Sequence, residues 1–462
     1  MGSRAEKIII QDYTPFLSAE AKRRMPSPLK SLLKYVKVPE MISLGGGLPS
    51  PSSFPFLNIA AEVASPHIPV GSSASKQTVL VPSDPTSEAI TCLADDLQYG
   101  LGFGSPKLIS FLRQHVADFY SPPYDDWQVS ISAGNTDGFE KAVRMLCQEG
   151  DVLIADEWTY PSVLETVFAL GMKMRGIEMD VEGMIPEKLE ETLSTWPENE
   201  KKPRVIYLIP TGQNPTGATM SLARRKKIYS ICQRYNLIII EDDPYYYLQY
   251  SSSETPQTEP FKLMPTILSL DTDGRVIRLD SFSKVIAPGS RLGWITSNSQ
   301  INTIYSYSNE VSTQQPSGFS QAIMSQLLSK VWGQEGWTRH LEKIRVYYEK
   351  KRNVLYSAAK KHVPAKYASF TEPLGGMFMW IKITPPPGRE QFSMEALFEL
   401  CIKRKILLVP GSQCSAENFL DWDQAPFFRA SFTYASDEDL EQAMIRFGQA
   451  LVEFFEEKAD EQ

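Results

Sequence analysis

Val276-Ile277-Arg278-Leu279-Asp280-Ser281-Phe282-Ser283-Lys284 reads as a short apolar strand running into hydroxyl residues and a lysine, and Arg291 follows seven positions later. A lysine at the end of a strand that faces a cleft can form an imine with an aldehyde cofactor. Serines and an arginine beside it can hold a phosphate. An isolated Ser-x-Ser-Lys is also compatible with a solvated lysine, so the rest of the chain has to decide. Four other runs share the apolar texture: Val129–Ile131, Val152–Ala155, Val205–Ile209 and Leu237–Ile240. Each is short and rich in Val and Ile, and most are separated by helical patterns, as expected for strands buried on both faces of a mostly parallel sheet. Strand–helix alternation implies right-handed crossovers and an open layered α/β structure, with ligands at the carboxyl ends of the strands. The distinctive residues of this chain follow those runs directly.

The expected fold class is therefore α/β, a mostly parallel sheet sandwiched by helices, with a smaller α+β domain. A long helical pattern at about 336–361 opens the second part, and helices are expected at Met394–Lys403 and Asp437–Glu457. The expected division is an N-terminal arm and part of the small domain at 1–65, a large domain at 66–335, and a C-terminal small domain at 336–462. The first 30 residues are polar and rich in breakers, an arm whose order depends on docking elsewhere. Residues 51–90, dense in Pro and Ser, predict a long surface loop.

Composition narrows the function classes. The chain has 462 residues, 42% hydrophobic and 22% charged, ordinary values for a soluble globular protein. A net charge of −8 argues against a nucleic-acid partner. Cys92, Cys147, Cys232, Cys401 and Cys414 are scattered without a C-x-x-C pair, which points to a reducing compartment and away from a zinc site. The four histidines are equally dispersed, so neither a metal centre nor a histidine-based triad is expected. No apolar stretch is long enough to span a membrane and no secretory h-region is recognisable, which makes the cytoplasm the expected location.

Several turns carry chemistry. Ser132-Ala133-Gly134-Asn135-Thr136-Asp137-Gly138 opens a helix, and its backbone N–H groups suit a phosphate, although an ordinary capped helix has the same form. Pro210-Thr211-Gly212-Gln213-Asn214-Pro215-Thr216-Gly217 is a rigid turn able to aim the Asn214 amide at a ligand. In Glu241-Asp242-Asp243-Pro244-Tyr245-Tyr246-Tyr247, carboxylates after a buried strand need a cation or strong donors, and a protonated pyridine nitrogen is one such partner. Tyr160 can stack on a planar cofactor or serve the core. Arg429, within Phe427-Phe428-Arg429-Ala430-Ser431-Phe432, needs an anion, either a substrate carboxylate or an internal acid.

In joint order and spacing these residues resemble the fold-type I pyridoxal-phosphate aminotransferases, above all the fungal aromatic amino acid aminotransferases and the kynurenine/2-aminoadipate group. The resemblance runs from about Pro26 to about residue 450 and includes Ile42-Ser43-Leu44-Gly45-Gly46-Gly47-Leu48-Pro49 and Leu97-Gln98-Tyr99-Gly100. It implies pyridoxal 5'-phosphate as cofactor, bonded to Lys284, which then serves as the base. Asp243 is implied to pair with the pyridinium nitrogen, Tyr246 and Asn214 to bond the 3'-oxygen, and Tyr160 to stack on the ring. Ser281, Ser283, Arg291 and the amides of Asn135 and Thr136 are implied phosphate ligands. Tyr99 is implied to reach the cofactor phosphate of the other subunit, hence a homodimer with shared sites. Arg429 is implied to bind the substrate α-carboxylate, helped by Gly47 and Asn214.

The implied reaction is ping-pong transamination of Phe, Tyr or Trp with 2-oxoglutarate or another 2-oxo acid, through pyridoxamine phosphate. Kynurenine or 2-aminoadipate transamination, or a fungal secondary-metabolite pathway, is the alternative. Specificity is expected to lie with the segment around Pro28 and Leu29, where Lys30 stands near the place at which aminoadipate-using relatives tend to carry arginine. A β-lyase or aminocyclopropane-forming enzyme would share the cofactor residues. A ligand-sensing regulator would need a DNA-binding domain that the short arm cannot supply.

Overall fold

The computed structural model describes residues 9–28, 30, 35, 38–40, 42, 44, 47–253, 261–417, 419–422 and 424–456. Leu29, Ser43, Gly45 and Gly46 lie outside the described residues. The main sheet has seven strands in the order Trp127–Ser132, Gly293–Asn298, Val276–Ser281, Ile238–Asp242, Val205–Leu208, Val152–Asp156 and Lys173–Ile177. Val276–Ser281 runs parallel to Ile238–Asp242, and Val152–Asp156 runs parallel to both Val205–Leu208 and Lys173–Ile177. Gly293–Asn298 is antiparallel to both of its neighbours. The sheet is thus mostly parallel, as the buried Val- and Ile-rich runs require. All five apolar runs read from the sequence fall in or at the ends of strands.

The chain divides into two compact units. The first comprises residues 1–148, 237–244 and 265–343. Its helix Asn135–Leu146 packs on strands Ile238–Asp242, Val276–Ser281 and Gly293–Asn298. The N-terminal arm is docked within this unit: the fully buried Tyr13 donates its hydroxyl to the Gly274 carbonyl at 2.6 Å.

Residues 51–90 are not a loop throughout. Asn58–Ala64 and Lys76–Pro82 pair as an antiparallel hairpin. Their alternation sets the more buried Ile59 and Val63, and the buried Val79 and Val81, against outward residues that are mostly polar or small, with Leu80 exposed among them. Val81 packs with Leu93 and Ala322, a contact the density of flanking prolines conceals in the sequence.

The second unit comprises residues 149–236, 245–264 and 344–462. Besides the strands Val152–Asp156, Lys173–Ile177 and Val205–Leu208, it holds a four-stranded antiparallel sheet. That sheet is ordered Ala368–Phe370, Phe378–Ile383, Phe427–Ser431 and Val409–Pro410. Helices Met394–Lys403 and Asp437–Glu456 fall where the sequence predicts them, and the long helix runs Gly333–His362.

Candidate active site

In the first unit, the strand Trp127–Ser132 delivers the chain to Gly134, whose φ of 101° is open to glycine and strained for other residues. A Cβ there would lie 2.5 Å from Arg291 Nη2, so the absent side chain is what lets the guanidinium approach the turn. Helix Asn135–Leu146 starts at once, and Asp137 Oδ2 accepts from the Ala133 N–H at 3.0 Å to fix the entry. Arg291 Nη2 donates to the Ala133 carbonyl at 2.7 Å, and Nη1 donates to the Pro288 carbonyl at 2.9 Å and to Ser283 Oγ at 3.5 Å. All of these acceptors are neutral. A guanidinium so placed, beside a helix N-terminus, keeps its charge for an outside anion.

Ser281 ends its strand buried, and its Oγ accepts from the Ser283 N–H at 3.0 Å. Lys284 lies half-buried in the turn that follows. Val285 is buried and its carbonyl meets His340 Nε2 at 2.6 Å, so the turn carrying the lysine is pinned from the long helix. Asn135 Nδ2 donates to Asp242 Oδ1 at 2.6 Å and to the Leu279 carbonyl at 3.1 Å. That carbonyl also accepts from the Asp243 N–H at 3.1 Å, which ties the helix start to the strand end bearing buried Asp243. Bonds thus link Asn135 with Asp243 through the Leu279 carbonyl, and Ser281 with Ser283 and Arg291, and Lys284 and Thr136 are next to them in sequence. Thr136 is exposed at the second position of the helix. Tyr99 and Gly47 lie elsewhere in this unit, both exposed.

In the second unit, Arg429 Nη1 donates to Asn214 Oδ1 at 2.6 Å, and its guanidinium carbon lies 4.3 Å from the Phe378 ring centroid. Arg429 Nε is buried without a partner, and among the described residues no carboxylate pairs with this arginine. Of the two partners open in the sequence, an internal acid is therefore excluded among the described residues. Accepting the arginine bond fixes the Asn214 amide, since Oδ1 faces the guanidinium and Nδ2 is left as the donor. The turn itself is braced by Gln213. Its Oε1 accepts from the Thr216 N–H at 2.9 Å and its Nε2 donates to the Trp158 carbonyl at 2.5 Å and to Asp156 Oδ2 at 3.2 Å. Tyr160 is half-buried at the start of helix Pro161–Ala169, and Tyr246 is buried edge-on to Tyr247.

Burial pushes the Asp156 carboxyl up to about 7, against the Gln213 bond that favours the charged form. An acid whose folded value is raised is stabilising below its unfolded value of 3.8 and loses that contribution as pH climbs to about 7. Asp156→Asn should therefore gain stability over the wild type as pH rises from 4 to 7, by at most about 4 kcal/mol, with no further gain above that. Melting temperatures of both proteins across this range check the sign.

The sequence did not single out Arg278. It is fully buried in the strand Val276–Ser281, with Glu241, Asp243 and Asp280 around its guanidinium. An arginine inside an apolar run, the signal that marked Arg429, was present here as well.

The chain belongs to the class I and II aminotransferases: the model of that family, "Aminotransferase class I and II", matches residues 82–447. An aromatic amino acid aminotransferase of Schizosaccharomyces pombe is 36% identical over 96% of this chain and 98% of its own length. The mitochondrial kynurenine/alpha-aminoadipate aminotransferase of Mus musculus is 34% identical over 96% of this chain and 99% of its own. Among solved structures, the aminotransferase Aro8 from Candida albicans superposes with a TM-score of 0.87 at 36% identity, covering 97% of this chain and 99% of that one. The protein is accordingly an enzyme that moves amino groups.

Proposed function

We propose that this enzyme transaminates the aromatic amino acids Phe, Tyr and Trp, using pyridoxal 5'-phosphate and passing the amino group to 2-oxoglutarate or another 2-oxo acid. The observation that carries the reading is Arg291, set on neutral acceptors at a helix start and bonded to Ser283, the residue before Lys284. The residues present fit the cofactor: an amine for its aldehyde, a cradle at Gly134 that a Cβ would fill, and a buried carboxylate at Asp243 for its ring nitrogen.

When bound, the cofactor supplies an electron sink for negative charge at the substrate Cα. Lys284 would hold it through Nζ and would serve as the base for the substrate Cα proton. Asp243 would pair with the ring nitrogen, Asn214 and Tyr246 would bond the 3'-oxygen, and Tyr160 would cover the ring. Ser281, Ser283, Arg291 and the N–H groups of Asn135 and Thr136 would hold the phosphate. Arg429, with Gly47 and Asn214, would bind the substrate α-carboxylate.

The relatives support an aromatic donor, since one is named for aromatic amino acids at full coverage. Lys30 adds to this. Its Nζ donates to the carbonyls of Gly100 at 2.8 Å and Gln314 at 3.0 Å, so it anchors the arm, whereas a 2-aminoadipate side chain would require it as a counter-charge. The kynurenine/alpha-aminoadipate relative keeps that donor class as the second reading. We place the enzyme in the cytosol as a homodimer, with Tyr99 reaching the partner's cofactor phosphate. The 55% exposure of Tyr99 and the exposure of Ile42, Leu44 and Leu57 at 85%, 93% and 82% support a covering subunit. Among the described residues no helix is long and apolar enough to cross a membrane.

Initial rates with a panel of donors and 2-oxoglutarate test the reading. Phe, Tyr and Trp should give the highest kcat/KM, and a clear preference for 2-aminoadipate would overturn it. Gly134→Ala is expected to weaken cofactor affinity by about tenfold or more, because the new methyl displaces Arg291, while the positive φ costs about 1–3 kcal/mol of fold stability. Titration of the cofactor-free protein measures it.

A further inference from the structure

Arg278 has no role in the proposed function, yet it is the centre of a buried charge cluster that touches a proposed catalytic group. Its Nη1 lies 2.9 Å from Glu241 Oε1 and 3.3 Å from Asp243 Oδ2. Nη2 donates to Asp280 Oδ1 at 2.8 Å, and Nε donates to Asp280 Oδ2 at 3.0 Å. The Tyr120 ring centroid lies 4.3 Å from the guanidinium carbon, and the Tyr120 hydroxyl donates to Asp280 Oδ1 at 2.8 Å. Glu241 also accepts from the Ile267 N–H on the same Oε1 at 2.8 Å and from the Leu268 N–H on Oε2 at 3.0 Å.

A buried guanidinium needs only one or two acids to offset its desolvation, and here Glu241 and Asp280 already supply them. A third carboxylate adds mutual repulsion, and buried acids without a cation take up protons instead of staying charged. The guanidinium directed at Asp243 therefore serves the charge of that buried acid, beyond offsetting its own desolvation. The consequence for Asp243 is specific. One of its oxygens meets a planar donor that cannot lose its own proton, so a permanent cation faces it in a fully buried setting.

We infer that Arg278 is a positioning residue for the reaction, holding the Asp243 carboxylate charged and in a single orientation toward the cofactor's ring nitrogen. This rests on the reading of Asp243 as the partner of that nitrogen. The geometry supports it from two sides: Arg278 and Asp243 stand on adjacent parallel segments, and Asp280 and Tyr120 lock the guanidinium against rotation. A loss of a fraction of an ångström in Asp243 placement would then appear in the chemical step and leave amino-acid binding unaltered.

The experiment uses the purified full-length enzyme loaded with pyridoxal 5'-phosphate and three variants: Arg278→Met, Arg278→Lys and Asp243→Asn. Cofactor content, kcat and KM for phenylalanine, and the kinetic isotope effect with Cα-deuterated phenylalanine are measured for each. Arg278→Met is expected to lower kcat per bound cofactor by up to about a hundred-fold, to raise the isotope effect and to leave KM unchanged. Arg278→Lys keeps the charge but loses the fork. It should recover part of the rate, and it serves as the test if the methionine variant does not fold.

A folded Arg278→Met or Arg278→Lys with a lowered melting temperature but wild-type kcat and isotope effect would overturn the inference, leaving Arg278 purely structural. The two readings fail differently. Full activity in Asp243→Asn would remove the assigned role of Asp243, whereas an impaired Asp243→Asn beside a fully active Arg278→Met would remove only that of Arg278.

Discussion

Lys284→Ala is expected to lower transamination of phenylalanine by about 10⁴-fold or more, because on the proposed roles one substitution removes both the covalent hold on the cofactor and the base for the Cα proton. The variant should fold. The turn is held independently of the lysine side chain by Phe282 and Val285, both buried, and by His340 on the Val285 carbonyl at 2.6 Å. Phosphate binding should also persist, since Arg291 keeps its bonds to Ala133 and Pro288. The expected phenotype is a folded protein that retains some affinity for the cofactor but lacks turnover, measured by kcat beside a melting curve. Activity near the wild-type level would remove Lys284 from the mechanism.

Arg429→Leu carries the next largest expectation, a fall in kcat/KM of about a hundred- to a thousand-fold for every donor. Removing one partner of a desolvated charge pair costs about 2–5 kcal/mol, and each 1.4 kcal/mol is about tenfold. Most of the loss should appear as a higher KM, because the α-carboxylate is bound in ground state and transition state alike. Arg429→Lys should recover little of it, since a point charge cannot reproduce the planar fork. Stability should change far less, because the arginine is half-buried and its direct bond in the fold is to Asn214. An unaltered KM in Arg429→Leu would place the carboxylate site elsewhere.

The parallel strands were legible because they are buried on both faces and read as unbroken apolar runs, as in Val205–Leu208. Gly293–Asn298 is equally buried but carries Thr296, Ser297 and Asn298. Polar partners such as Asn302 on Ser297 at 3.3 Å and Asp126 on Asn298 at 3.1 Å make that burial tolerable, and no local pattern announces them. The hairpin at 58–82 was hidden for another reason: flanking prolines suggested a loop, while the alternation at Val79 and Val81 was the better signal.

The proposed site residues at strand ends and in glycine turns, such as Asn135, Asp243, Lys284 and Arg291, could be proposed from the sequence because their neighbours carry local backbone signals. Arg278 was not. Its meaning depends on acids from two other positions in the chain, Glu241 and Asp243, which only the folded sheet brings within reach.

Borohydride reduction of the cofactor-loaded enzyme, followed by peptide mass mapping, tests the central claim most directly. The account predicts a single cofactor-modified peptide containing Lys284, with modification absent when excess phenylalanine is added before reduction. Modification of a different lysine, or a Lys284 peptide of unaltered mass, would contradict it.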